Sequence, residues 1–281
     1  MKIVRTVQEM RTAVQAVRSA GNSVGLVPTM GALHEGHLSL VRAAKAACDT
    51  VAVSIFVNPL QFGPQEDLAK YPRDFEGDSK RLEREGIDFL FAPSVGEMYP
   101  ATSATYVEVE GLSTRLCGGS RPGHFRGVAT VVAKLFHIVE ADRAFFGQKD
   151  AAQVAVLRRM VKDLNFPVEI MVCPIVREPD GLAMSSRNAY LNREERKAAL
   201  LLYRSLTEVE RRFAQGERNP TNLIEAGKHV LAQEPAVRLD YFSIVDPDTL
   251  TPIQELTGKT LVAVAAFVGR TRLIDNTVLV P

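Results

Sequence analysis

His34 and His37 stand three residues apart with Gly36 between them, inside the run Pro28–Val41, PTMGALHEGHLSLV. Two imidazoles at one spot supply donors that can follow charge as it moves among phosphate oxygens. Further along, Lys149 sits in Gly147–Gln148–Lys149–Asp150, and Arg187 closes Met184–Ser185–Ser186–Arg187. A point charge, a guanidinium fork and two hydroxyls are donors for a polyphosphate. Lys149 as a mere solvated cation at a helix start is disfavoured, because the helix dipole repels it there.

Those side chains need elements to hold them. Val24, Leu26 and Val27 belong to a buried strand that Pro28 stops, and from Leu38 the apolar spacing Leu38, Val41, Ala44, Ala47 is helical. Strand, glycine loop and helix start make an anion-binding geometry of free N–H groups and a positive dipole end. HEGH is not the zinc motif H-E-x-x-H, which needs histidines four apart on one helical face. Capping alone would be a poor use of two histidines and two glycines in ten residues.

The rest of the chain alternates strands and helices. Thr6 and Glu9 form a capping box for a helix to Arg18, and Val51–Val57 is an apolar, β-branched strand. Leu60 to Arg73 is a polar, proline-bracketed loop, Asp78–Glu85 a helix, and Ile87–Phe91 a short strand. Thr105–Glu110 alternates as an edge strand does, Arg115–Gly127 has the composition of a mobile loop, and Val128–Val139 is an apolar helix. Ala144–Phe146 is a strand, Asp150 caps the next helix, and Val168–Cys173 is a buried strand. This order predicts a doubly wound, Rossmann-like parallel α/β sheet with ligands outside the carboxyl ends of its strands. The loops after Val27, Val57 and Phe146 can then converge.

From Arg177 the pattern changes to helices followed by antiparallel strands, with Asn192 and Glu195 capping a helix to Gln215. Strands follow at Arg238–Val245 and Thr260–Val268, with a short one near Leu273. The expected division is a nucleotide- and substrate-binding domain over residues 1–176 and a smaller α+β lid over 177–281.

A formal net charge of +1 over 281 residues gives no field that favours nucleic acid or an anionic membrane. No apolar run is long enough to cross a bilayer, and MKIVRTVQEM lacks the pattern of a signal peptide. Cys48, Cys117 and Cys173 are widely spaced and suit free thiols in a cytoplasm.

PTMGALHEGH, Phe56–Arg73, Phe145–Gln153 and Met184–Leu191 follow one another in the order found in pantothenate synthetases, and the chain resembles that family over essentially its whole length. H-x-G-H itself is the nucleotide signature of the wider class I nucleotidyltransferase and aminoacyl-tRNA synthetase group. The resemblance implies an ATP-dependent ligase: pantoate is adenylated, pyrophosphate leaves, and the amine of β-alanine displaces AMP. It implies His37 as proton donor, with His34, Lys149 and Arg187 as catalytic partners. ATP would meet Met30, Gly31, Ala32, Leu33, His34, Glu35, Gly36 and His37. It would also meet Gly147, Gln148, Lys149, Asp150, Val176, Met184, Ser185, Ser186 and Arg187. Gln61 would bind pantoate and β-alanine, and Gln153 pantoate. Magnesium would arrive on ATP, with no metal ligands from the protein, and a homodimer is implied.

One departure matters. Met184 stands where the synthetase relatives carry lysine, so the charge must come from Arg187 and Lys149. Val176 is apolar and suits a core position as well as a main-chain contact to adenine. Arg115, Arg121, His124 and Arg126 suit a solvated loop or a dimer interface as well as phosphate binding. The alternative reading is an H-x-G-H nucleotidyltransferase that leaves the nucleotide on its product.

Overall fold

The computed structural model describes residues 1–64 and 66–281. In chain order the N-terminal part contains β1 (Lys2–Val4), α1 (Val7–Ser19), β2 (Val24–Thr29), α2 (Glu35–Ala47), β3 (Thr50–Ile55), α3 (Phe75–Glu85), β4 (Phe89–Phe91) and α4 (Val95–Met98). It continues through α5 (Cys117–Ser120), α6 (His124–Val139), β5 (Arg143–Gly147), α7 (Ala151–Asp163) and β6 (Glu169–Cys173). The C-terminal part contains α8 (Arg193–Ala214), α9 (Pro220–Leu231), β7 (Val237–Val245), β8 (Thr260–Val268) and β9 (Thr271–Leu279).

The first six strands pair in parallel in the order β1-β4-β3-β2-β5-β6, with helices on both faces, as expected for a doubly wound sheet. After β2 the chain winds one way through β3 and β4, then crosses to the other side for β5 and β6. The order therefore reverses between β2 and β5, and the crevice at their carboxyl ends is where such sheets bind ligands. One face is covered by α1, α6 and α7, the other by α2 and α3.

In the antiparallel sheet β7-β8-β9 the central strand β8 is buried on both faces. Leu261 and Ala263 of β8 join the core beneath α6, whereas Val262, Val264, Ala266 and Val268 pack against α8 and α9. Period-two alternation thus glues the C-terminal sheet to the main body with one set of side chains and to its own helices with the other.

Six expectations change. β2 runs through Pro28 to Thr29, Asp150 makes no side-chain cap bond to α7, and β6 is an edge strand with only Cys173 fully buried. Thr105–Glu110 forms no regular element and has no strand partner among the described residues, and its Val107 N–H is taken by Thr130 Oγ1 at 3.0 Å. Arg115–Gly127 is ordered by α5 and the first turn of α6, packed so closely that a Cβ on Gly118 would lie 2.1 Å from the Ser113 carbonyl oxygen. The last strand, expected to be short, runs nine residues because Asp275 and Asn276 within it are buried and bonded rather than forming a turn.

Candidate active site

The loop Met30–His34 leaves β2 at the switch point and enters α2. Gly31 and Ala32 both have positive φ, 82° and 51°, a backbone that needs bracing in a non-glycine residue. Asp78, 1% exposed on α3, supplies it: its carboxylate accepts Ala32 N–H at 2.7 Å and Leu33 N–H at 2.8 Å. Arg81 follows one turn later, with its guanidinium 3.6 Å from Asp78 and donating to the Leu33 carbonyl. Burial raises the Asp78 carboxyl, while the two amides oppose the rise.

These bonds revise the expected chemistry of the loop. Gly31 N–H is held by Thr29 Oγ1, Ala32 and Leu33 by Asp78, His34 by His37 Nδ1 at 3.3 Å, and Gly36 by His34 Nδ1 at 3.2 Å. The backbone donors expected to be free are engaged within the protein. Of the two imidazoles, His37 lines the cavity beside Gln61, whereas His34 lines neither of the site's two cavities and sits behind at the start of α2. Because each Nδ1 accepts, neither carries the proton there, and a neutral ring must carry it on Nε2. Burial, then Lys149, lowers the pKa of His34 to about 4; burial, then His34 and Lys149, lowers that of His37 to about 3. Both are neutral Nε2–H donors near pH 7, with ring centroids 4.1 Å apart. A Cβ at Gly36 would lie 2.9 Å from His34 Cε1, so any larger residue there would have to move that ring.

The turn after β3 builds the neighbouring pocket. Asn58, 1% exposed, donates to Gln61 Oε1 and to the Gly127 carbonyl, both at 3.0 Å, and accepts from Tyr99 OH at 2.9 Å. With its oxygen engaged, Gln61 has its amide N–H groups to offer, one of them lying 3.1 Å from Met30 Sδ. Met30, His37, Gln61, Gly147, Asp150, Gln153 and Arg187 share this cavity.

An adjoining cavity is lined by Lys149, Asp150, Gln153, Ser185 and Arg187, with Asp275 and Asn276 of β9. Asn276 donates to the carbonyls of Gln148 and Lys149 at 3.0 and 2.9 Å and accepts from the Gln148 amide at 2.9 Å. Asp275 takes Arg177 in a two-point pair at 2.6 and 3.0 Å. The C-terminal sheet therefore holds the Lys149 loop from behind. Arg187 is bound by Asp67 at 2.9 and 3.0 Å, and Ser186 Oγ meets Tyr71 OH at 3.3 Å.

Other expected residues are placed differently. Leu33 is 3% exposed in the core, and the Glu35 carboxylate pairs with Arg42. The Val176 carbonyl accepts Met184 N–H at 3.0 Å, tying the Ser185–Arg187 loop to the strand end. The four residues of the arginine-rich segment split. Arg115 donates to the Thr249 carbonyl and Arg126 lies 4.1 Å over the Tyr106 ring, whereas Arg121 and His124 line both cavities.

The family model described as pantoate-beta-alanine ligase matches residues 2–278. The chain belongs to the pantoate–β-alanine ligase family. The pantothenate synthetase of Acidobacterium capsulatum is 61% identical over 290 residues, covering 99% of this chain and 97% of that protein. The crystal structure of pantothenate synthetase from Thermus thermophilus superposes with a TM-score of 0.96 at 49% identity, covering all of both chains. A pantoate–β-alanine ligase from Francisella tularensis, crystallised with β,γ-ATP and β-alanine, has a TM-score of 0.79 at 33% identity over 99% of this chain and 97% of that one. Within this ligase family fold, Asp78, Asp275 and Asn276 are the site residues that lie outside the sequence motifs. A buried acid or amide facing a glycine loop across the fold leaves no local signal.

Proposed function

We propose that the protein is a pantothenate synthetase, which condenses (R)-pantoate with β-alanine through a pantoyl adenylate. The observation that carries this reading is the meeting of two donor sets at the β2/β5 crevice. His37 and Arg187 line the same cavity as the amides Gln61 and Gln153, and Lys149 lines the next. A polyphosphate and a small hydroxy acid can lie side by side there.

In the first step a pantoate carboxylate oxygen forms a bond to the α-phosphorus of ATP while the bond to the bridging oxygen breaks and pyrophosphate leaves. Charge grows on phosphate oxygens, where the Nε2–H groups of His34 and His37 and the cations Lys149 and Arg187 can meet it. Gln61 and Gln153 align pantoate beside Met30, while Gly31, Ala32 and Gly36 shape the backbone that carries His34 and His37. In the second step the neutral amine of β-alanine attacks the acyl carbon, the C–O bond to phosphate breaks, AMP leaves, and the amine proton passes to solvent. Magnesium enters as part of the ATP substrate, supplying charge to its phosphate oxygens. Among the described residues no group of three or more His, Cys, Asp or Glu side chains could hold a metal.

We assign residues 1–176 to the substrate-binding domain and 177–281 to a smaller lid, with a homodimer in the cytoplasm as the working form. The segment Thr105–Glu110, which has no strand partner among the described residues, and its 45%-exposed Tyr106 support an interface between copies. No described helix is long and apolar enough to cross a membrane.

Product analysis with Mg·ATP and pantoate, with and without β-alanine, tests the reaction. Pantoate-dependent pyrophosphate release and β-alanine-dependent turnover to free AMP are expected. Nucleotide retained on the product would make the protein a nucleotidyltransferase instead.

A further inference from the structure

Four cations line the two cavities: Arg121, Lys149, Arg187 and Arg272. The proposed reaction allots Lys149 and Arg187 to the phosphates. Arg272 lines only one cavity and is held by Asp240 at 2.7 and 3.0 Å. Arg121 has no role so far, although it lines both cavities and its side chain is only 14% exposed.

Its guanidinium is aimed with care. One Nη1–H points to His124 Nε2 at 3.0 Å, while His124 Nδ1 donates to the Gln61 carbonyl at 2.9 Å. Arg121 Nη2 also reaches that carbonyl, at 3.3 Å. Burial, then Arg121 itself, lowers the His124 pKa to about 4, so the ring is neutral and can accept. The remaining edge, Nε and Nη2, forks the Glu66 carboxylate, with Nε at 2.8 Å. Such a two-point fork is the geometry by which arginine recognises carboxylates.

Glu66 N–H bonds the Gly63 carbonyl at 3.0 Å, whereas His124 opens α6 and its N–H bonds the Arg121 carbonyl at 3.1 Å. Burial opposes ionisation of Glu66, but the hydrogen bonds from Arg121 hold its carboxyl below the ordinary value. A second carboxylate could replace it without ever leaving the guanidinium unpaired, which a buried charge does not tolerate. β-Alanine offers a carboxylate at one end and the attacking amine at the other.

We propose that Arg121 receives the carboxylate of β-alanine, exchanging it for Glu66, and so sets specificity for an ω-amino acid beside Gln61. This rests on the ligase reading above. Glu66 is the resident competitor, and His124 is a positioning residue that fixes both the fork and the Gln61 main chain.

The test measures KM for all three substrates in the parent chain, Arg121→Ala and Glu66→Gln. Loss of a charge-assisted pair predicts a β-alanine KM about 10- to 100-fold higher in Arg121→Ala, well beyond any change for pantoate or ATP. Glu66→Gln, which keeps the shape and removes the competing charge, predicts a lower β-alanine KM. Parallel changes for all three substrates, or an unchanged β-alanine KM in both variants, would overturn the assignment while leaving the ligase reading intact. A parent chain that turns over ATP with pantoate but never consumes β-alanine would overturn both.

Discussion

His37 Nδ1 accepts the backbone N–H of His34 at 3.3 Å, and His34 Nδ1 accepts that of Gly36 at 3.2 Å. Each imidazole thus spends one nitrogen on capping α2 and leaves the other outside the cap, where the proposed reaction uses it. The capping and phosphate roles are one arrangement, because the cap selects the Nε2–H tautomer. His37→Ala is expected to lower the rate of pantoate-dependent pyrophosphate release about 100- to 1,000-fold, the loss typical of one preorganised donor. The fold should persist, since a lost cap costs about 1 kcal/mol. Near-normal turnover with an intact far-UV spectrum would remove His37 from the mechanism.

Low pH should act on stability before it acts on the tautomers. His34 and His124, with folded pKa values near 4, and His37, near 3, all lie below the ordinary 6.5. The unfolded chain takes up protons from pH 6.5 downward, whereas the folded chain holds these rings neutral until about 4. Their contribution is whole above pH 6.5 and is lost as pH falls through the folded values. Each ring adds a slope of up to about 1.4 kcal/mol per pH unit in that window. Thermal melts between pH 7 and pH 4.5 should therefore show a falling Tm. A flat Tm over that range would refute the neutral assignment.

Asp78 is the brace on which the signature loop depends. Asp78→Ala leaves the Ala32 and Leu33 amides without their partner next to two positive-φ residues, so a destabilisation of about 2–4 kcal/mol is expected. Because the loop carries His34 and His37, the KM for ATP should rise in the same variant. Denaturant melts together with ATP kinetics check both parts, and an unchanged ATP KM would mean the loop holds its shape without the acid.

Much of this site was legible in the chain, and the reason differs from residue to residue. The β-branched run at Val51–Val57 is recognisable as a strand because both faces are buried, and Asn192 with Glu195 forms the expected capping box on α8. Asp275 and Asn276 look like turn residues until their partners are known. Arg177 lies 98 residues from Asp275 and Gln148 lies 128 residues from Asn276, and no local pattern encodes such pairs. Thr105–Glu110 shows the converse: alternation is visible, but a strand also needs a neighbour, and this chain supplies none among the described residues.

Gly127 tests the proposed pantoate pocket from behind the Pro59–Gln61 turn. A Cβ there would meet the Leu60 carbonyl oxygen at 2.3 Å and the Gln61 nitrogen at 2.6 Å, both main-chain atoms that cannot rotate away. Gly127→Ala must push the Pro59–Gln61 turn off α6, at a cost of about 1–3 kcal/mol for overpacking. The KM for pantoate should rise more than that for ATP, as it should in Gln61→Ala. Equal effects on the two substrates would show that the turn serves the whole crevice and not the pantoate amide.

Asp67 and Glu66 are consecutive, and each holds a different arginine of the crevice. Asp67 pairs with Arg187 at 2.9 and 3.0 Å, so the guanidinium expected to meet the nucleotide is already partnered. Burial works against ionisation of Asp67, yet the Arg187 pair keeps its carboxyl below the ordinary value, and the exchange for phosphate must displace a charged partner. Asp67→Asn removes that competitor and should lower the KM for ATP, by about 3- to 10-fold if the pair is worth about 1 kcal/mol at this partial exposure. Arg187→Ala should raise the same KM and slow pyrophosphate release. If Asp67→Asn instead raises the ATP KM, Asp67 is positioning Arg187 for the phosphates rather than competing with them. The sign of that one change separates a latch from a brace.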